Sequence, residues 1–473
     1  MANKYQRLLN NTFLFLLAQA GSKIIALVLI PIYSHVFSAE EYGLIDGITA
    51  GVSLLLPIVT LMIQTAVLRF VLDKEEDPKI IFSNSIAIYV VEMIVILSCY
   101  IALKILNIYN GILEFIALSL ALEALNGILI NYVKARNKNV LFMMQGFICT
   151  FVMGTLNILF LCVFHMGIQG YFFSIALAYL VTNIVIIIWS GCLKDVSISA
   201  IDKQKLKKML AYCIPMIANS LSWTLMSIGD RYMIIALLGL SANGIYAIAT
   251  KIPTMISSLT NIFQQSWEIS AIEEQKSEDK NGFYTIIFDY MSTFMVVCVS
   301  GCMIIIRIVI EQFLGDGFVS AWRYTPFLLL SLLFSSYASF YGASYNAEKK
   351  TMGAFLTSMA GAVINILLNY FLIKIGGLQG ATIATMIAYL IMWLIRLFHT
   401  RAYIKINIPK IRFIISWVVL GAQVAVFYLL SNYWLWQMFA MSGFAVLLIL
   451  LNKSVFFKMI QSLQKKFKRE KSK

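Results

Sequence analysis

The chain has little of what a water-facing protein needs. Of its 473 residues only 13% are charged while 60% are apolar, and mean hydropathy is +0.83. A soluble domain carries about 25% charged residues. The polar surface is too small for a set of soluble domains, so the chain reads as an integral membrane protein. Histidine is scarce as well. His35, His165 and His399 lie far apart and none stands at ligand spacing from cysteines or carboxylates, so no metal site is expected. The seven cysteines fall inside apolar stretches, which suits free thiols rather than a disulfide framework. No glycine-rich phosphate loop occurs in the polar connectors, so ATP-driven transport is not expected. The first apolar run is too long for the core of a signal peptide, so no cleavable leader is expected.

What is present is a series of runs long enough to cross a bilayer, about 20 mostly apolar residues each. Six occupy the first half: Phe13–Val36, Leu44–Leu72, Ile80–Leu103, Ile112–Val133, Val140–Phe164 and Ile168–Leu193. Six more follow: Met209–Leu238, Gly244–Ile272, Phe283–Ile310, Tyr324–Asn346, Met352–Ile375 and Leu378–Leu397. The pair Phe413–Leu430 and Trp434–Leu451 brings the expected count to 14. The fold class is therefore all-α and polytopic. The expected organisation is a six-helix lobe over 1–193, a connector over 194–208, a second lobe over 209–398, a helix pair over 399–452 and a basic tail over 453–473.

Net charge is +14, and the cations are unevenly placed. With the N-terminus inside, 29 of the 37 Lys and Arg fall in inner segments and three in outer ones. The positive-inside rule then puts both termini in the cytoplasm. In the tail, Phe456, Ile460, Leu463 and Phe467 stand at helical spacing among lysines. It reads either as an amphipathic helix on an anionic leaflet or as a solvated segment that sets topology. The positive charge has a topological origin, and nucleic acid is not an expected partner.

The two halves repeat. Gly167-Ile-Gln-Gly170 followed by Ala178-Tyr179-Leu180 recurs 210 residues later as Gly377-Leu-Gln-Gly380 followed by Ala388-Tyr389-Leu390. Leu156-Asn157-Ile158-Leu159 is echoed by Ile364-Asn365-Ile366-Leu367, and Ser38-Ala39…Gly43 by Ser241-Ala242…Gly244. An even number of spans per half gives the halves one orientation, a parallel repeat.

Together with Asn10-Asn11, Phe37-Ser-Ala-Glu-Glu-Tyr-Gly43, Arg69-Phe70, Asp230-Arg231 and Gly244-Ile-Tyr-Ala-Ile-Ala-Thr-Lys251, these motifs resemble a known family. It is the polysaccharide-unit (Wzx-type) flippases of the multidrug/oligosaccharidyl-lipid/polysaccharide exporter superfamily. The resemblance covers roughly residues 8 to 450. It implies two six-helix lobes around a central cavity, alternating access, and no enzymatic activity. The cargo it implies is an undecaprenyl-diphosphate-linked oligosaccharide. The place it implies is a bacterial plasma membrane, with membrane lipids and polysaccharide assembly proteins as further partners.

Four cations lie within spans 1, 2, 7 and 8: Lys23, Arg69, Arg231 and Lys251. An ionisable group there costs about 2.5–3.5 kcal/mol unless it faces protein or water. The resemblance makes those four helices the lining of the cavity. On span 8, Lys251, Thr254, Ser258, Asn261, Gln265 and Glu268 form one helical face. Asp46, Thr49, Ser53, Thr60 and Gln64 mark span 2, Gln19 and Lys23 span 1, and Asn219, Trp223 and Asp230 span 7. Such a surface suits a diphosphate, with amides for sugar hydroxyls and Trp223 or Trp267 for ring stacking. Neutralisation of neighbours, snorkelling and simple packing are the competing roles.

Coupling to a sodium or proton gradient, or to the membrane potential, has two sets of candidates. Glu92, Glu123 and Asp289 are intramembrane carboxylates, able to carry protons or to hold helices together as hydrogen-bonded acids. By the resemblance, Asp230, Asn365, Asn369 and Thr385 stand where some relatives hold a sodium ion. No resident cofactor is expected. Pro31, Pro57, Pro215, Pro253 and Pro326 fall within spans and are the candidate bending points. Two other functions compete. A drug/cation antiporter of the same superfamily calls for an acidic cavity. A membrane glycan polymerase calls for a large outer loop, and the longest here, about 311–323, is short.

Overall fold

A computed structural model describes residues 21–457, apart from 74–75, 108–110, 137, 276, 349 and 408–409. Among the described residues the chain is entirely helical, with no strand. It divides into two compact units, Leu17–Arg231 and Tyr232–Lys473. Ten helices among the described residues are long and apolar enough to cross a membrane, beside shorter apolar helices at Gly21–Val36 and Leu240–Ala249.

The first unit holds α1 (Gly21–Val36), α2 (Ala39–Val59), α3 (Ile63–Val71), α4 (Pro78–Ile105), α5 (Leu113–Ala135), α6 (Asn139–Asn157), α7 (Gly167–Ser190) and the first part of α8 (Lys203–Leu238). Ser38 and Glu41 make a reciprocal capping box that starts α2, satisfying donors that a helix start leaves open. Asp77 caps α4, with Pro78 in its first turn. The second expected span is not continuous. Leu61 and Met62 adopt left-handed φ of 46° and 54° and separate α2 from α3. Thr60 Oγ1 stabilises the break, donating to Leu56 O and accepting from Met62 N. Val67, Ile81, Phe82, Ile128, Val133, Ile186 and Met209 form the main apolar core.

Amides tie this unit together where lipid supplies no hydrophobic force between helices. Asn126 Nδ2 donates to Asn183 Oδ1 at 2.8 Å, and Gln145 Nε2 to Asn126 Oδ1 at 3.0 Å, joining α5, α6 and α7. The connector after α7 is fastened to the start of α4. Asn84 exchanges hydrogen bonds with the backbone of Asp202, and Ser83 accepts from Ser197 N.

The second unit holds the end of α8, α9 (Leu240–Ala249), α10 (Lys251–Glu273), α11 (Lys280–Phe313), α12 (Thr325–Ala347), α13 (Thr351–His399), α14 (Lys410–Leu429) and α15 (Trp434–Leu451). Pro253 has no N–H for the carbonyl four residues back, at Ala249, and the expected eighth span divides there into α9 and α10. The hydroxyl of Thr325 donates to that carbonyl at 3.4 Å. Pro326 is different from Pro57 and Pro215, which lie inside helices. It stands second in α12, in the first turn, where no intrahelical bond is lost.

The repeated glycines have the same jobs in both units. Gly167 and Gly377 both have φ +57° and begin a new helix direction. Gly377 lies inside α13, which therefore comprises the two expected spans 11 and 12. Three residues on, a Cβ on Gly170 would stand 2.8 Å from Met166 Cβ, and one on Gly380 only 1.8 Å from the carbonyl oxygen of Leu372.

Arg396, at the end of the expected twelfth span, lies within α13 and is 1% exposed. It donates to Ala338 O (2.7 Å), Thr357 Oγ1 (3.0 Å) and Ser358 Oγ (2.8 Å), locking α12 to both halves of α13. The terminal helix pair is fastened along one face of α11. Asn281 accepts from Lys405 N, Thr285 from Asn407 N, and Asp289 pairs with Arg412. Further along the same helix Thr293 meets Asn452, Ser300 O accepts from Gln423, and Arg307 reaches Ser431 O and Gln437. The Asp289 carboxylate, read from sequence as a proton carrier or a protonated helix tie, is instead one half of an ion pair with Arg412.

Candidate functional site

The polar stripe expected on the eighth span lies on α10. Thr254, Asn261 and Gln265 are exposed, and Lys251, Ser258 and Glu268 are half-buried. Pro253, Ile256, Ile262, Ser266, Trp267 and Ser270 on the other sides are buried in the unit. Periodicity of the polar positions and periodicity of burial therefore agree. Trp267 is fully buried, stacked 4.3 Å from Phe340, and donates from Nε1 to Phe340 O. It is a packing residue, and the ring-stacking role does not fall to it.

Beside Asn261 is a polar notch of about 30 Å³, lined by Ser257, Thr260, Gln264, Ser336 and Ser339 among others. Thr260 and Ser336 donate their hydroxyl protons to Ser257 O and Leu332 O. Their oxygens are left as acceptors. The space is enough for one water or one donor group of a ligand.

In the first unit the stripe of α2 places Thr49 and Ser53 at exposed positions and Asp46 at a half-buried one, whereas Thr60 is buried at the helix break. Asp46 Oδ2 accepts from Arg231 Nε at 2.6 Å, with side chains 13% and 17% exposed. The sequence placed both residues among the substrate-binding candidates. Here they answer each other's charge and fasten α2 to α8. Exposed pairs contribute about 0–1 kcal/mol, and breaking a buried one costs about 3–5 kcal/mol. For this partly buried pair a double-mutant cycle over Asp46→Ala and Arg231→Ala is expected to give a coupling of about 1–3 kcal/mol in unfolding. Additive effects would show that the pair does not hold the helices.

Lys23 is half-buried on α1, with no ion pair among the described residues. Arg69 is exposed at the end of α3, 3.9 Å from Asp73. Lys251 begins α10. Arg231 is paired with Asp46, while Lys23 belongs to the first unit and Lys251 to the second. Gln19 lies outside the described residues, as do the side chains of Asn219 and Trp223.

The coupling candidates separate. Asn365, Asn369 and Thr385 come together in the second unit, all buried. Asn365 Nδ2 donates to Thr385 Oγ1 at 3.4 Å, and Asn369 Nδ2 to Asn365 O at 3.0 Å. Asp230 is buried in the first unit. Glu123 on α5 is hydrogen-bonded to Tyr179 on α7. Glu92 is 2% exposed, and neither carboxylate oxygen has a hydrogen-bond partner among the described residues. A side chain in that setting has no compensation for burial of a charge. Sequence reasoning missed the Asn126–Asn183–Gln145 network and the Arg396 clamp. Their only signal was polar residues within apolar runs.

Residues 8–267 match the family described as Polysaccharide biosynthesis protein, more than half of the chain. An uncharacterised membrane protein of Methanocaldococcus jannaschii is 25% identical over 255 residues, 51% of this chain, and the match spans only 60% of that relative's length. The fold is similar to the lipid II flippase MurJ in an inward closed conformation, with a TM-score of 0.75 and 15% identity, covering 95% of this chain and 99% of that one. A mutant of the Vibrio cholerae MATE transporter VcmN gives a TM-score of 0.62 at 13% identity, over 85% and 98%. These likenesses establish the fold, that of a multi-pass helical membrane protein. The match over 8–267 makes this chain a member of the polysaccharide biosynthesis protein family.

Proposed function

We propose that the protein moves an undecaprenyl-diphosphate-linked oligosaccharide repeat unit from the inner to the outer leaflet of a bacterial plasma membrane by alternating access. The observation that carries this reading is the polar face of α10, on which Thr254, Asn261 and Gln265 are exposed and Lys251 is half-buried. A lysine is a point charge suited to a phosphate, and the amides and the acceptor-lined notch suit sugar hydroxyls. Lys23 supplies the same chemistry from α1. The fold similarity to a lipid II flippase supports the same class of cargo.

The MATE-like fold keeps a drug antiporter as the second reading. That reading needs an uncompensated acid among the stripes. On α2 the acid, Asp46, is paired with Arg231; Asp230 is buried, and Glu268 is half-buried on α10. The driving force is proposed to be an ion gradient or the membrane potential. The oxygens of Asn365, Asn369 and Thr385 are neutral, a weaker setting for sodium than one with a carboxylate, while Glu92 is a candidate proton carrier.

Reconstitution into vesicles with labelled lipid-linked oligosaccharide tests the proposal. Protein-dependent exposure of the label at the opposite leaflet is the expected result. Transport of a cationic drug with no movement of any lipid-linked glycan would overturn it.

A further inference from the structure

The seam between α11 and α15 holds a cavity of about 180 Å³, lined in part by Met303, Arg307, Glu311, Trp434, Gln437 and Met438. We infer that it is a binding site for the head group of a zwitterionic phospholipid bearing a primary ammonium, of the phosphatidylethanolamine type. The inference is independent of the cargo proposed above.

Position comes first. The 34 residues of α11 span roughly 51 Å at 1.5 Å per residue, more than the ~30 Å hydrocarbon core. Asn281 and Thr285, near one end, hold the basic connector that precedes α14. Arg307 is 26 residues beyond Asn281, roughly 39 Å along the axis. The cavity therefore stands at the head-group level of the opposite leaflet.

Charge decides the class of ligand. Arg307 Nε donates to Glu311 Oε1 at 2.8 Å, and its Nη1 donates to Ser431 O (2.7 Å) and Gln437 Oε1 (2.9 Å). The guanidinium also lies 4.7 Å from the centre of the Trp322 ring, which Arg323 approaches at 5.4 Å. These contacts hold Arg307 in place and leave Nη2 for a phosphate oxygen. Glu311, a third exposed along its side chain, has a second oxygen for an ammonium. An adjacent cation and anion complement a head group that carries both charges, and offer less to a purely anionic or a quaternary one.

Size and lining decide the rest. Pockets that enclose a whole small molecule measure about 300–1,000 Å³. This one takes only one end of a larger molecule. Apart from Gln312, its remaining walls are apolar, from Met303, Ile304, Ile308, Met438 and Met441, and suit the glycerol and first methylenes of a chain that continues into the bilayer.

The test is lipid retention by the detergent-purified full chain after exchange against vesicles of phosphatidylethanolamine, phosphatidylglycerol or phosphatidylcholine, read by native mass spectrometry. Phosphatidylethanolamine is expected to be retained about tenfold over the other two, the effect of one charged hydrogen bond. Met438→Trp fills the cavity and should abolish that retention. Glu311→Gln, at the exposed rim, keeps the bond to Arg307 and should bring the preference below about threefold. Equal retention of all three lipids by the wild-type protein overturns the inference, as does an unaltered preference in Glu311→Gln.

Discussion

Gly380→Ala is expected to destabilise the protein strongly. The new Cβ would lie 1.8 Å from the carbonyl oxygen and 2.3 Å from the carbonyl carbon of Leu372. These are backbone atoms of the preceding span, so no rotamer change relieves the clash. Overpacking a core costs about 1–3 kcal/mol when side chains can give way, and this substitution is expected to exceed that range. A loss of at least roughly 6–12 °C in the melting temperature corresponds to 3 kcal/mol in a unit of this size. Gly421→Ala is the control, since nothing lies within 4 Å of its would-be Cβ. Equal melting of the two variants would show that the helices do not approach as described. Gly377→Ala tests the neighbouring turn, where φ +57° is costly for any residue with a Cβ.

The second large effect concerns transport. Lys251→Ala should lower flipping of a lipid-linked diphosphate more than about tenfold, the equivalent of one charged hydrogen bond of 1.5–3 kcal/mol. Its melting temperature should change little, because the side chain is half-buried at the start of α10 and not part of the unit's core. Lys251→Arg, which keeps the charge, should retain more activity than Lys251→Ala. Lys23→Ala should behave as Lys251→Ala does. Unchanged transport in both alanine variants would remove these lysines from the site.

Several features of the fold were readable before any coordinates. The hydropathy runs mark the helices, because a backbone in lipid must satisfy its own hydrogen bonds and helices do so locally. The repeated Gly-x-Gln-Gly marks equivalent turns. The polar face of α10 was also legible, since a 3-4 spacing is a property of one helix. The breaks were less so. Pro253 signals the one between α9 and α10, but nothing local forces Leu61 and Met62 into left-handed φ.

Pairing across helices was not legible. Asp46 and Arg231 are 185 residues apart, and each alone reads as a polar group facing water. Asp289 with Arg412, and Arg396 with its carbonyl and hydroxyl acceptors, were hidden for the same reason. A sequence window reports how a segment partitions between water and lipid, not which neighbour answers a charge.

By itself the sequence determined that this is a polytopic helical membrane protein with a duplicated plan and a strongly biased distribution of cations. Those properties depend on composition and spacing within single segments. Only the tertiary structure decided which intramembrane charges pair across helices, as Asp46 does with Arg231 and Asp289 with Arg412. That depends on lateral packing, where a partner a few ångströms away in space is a hundred residues or more away along the chain.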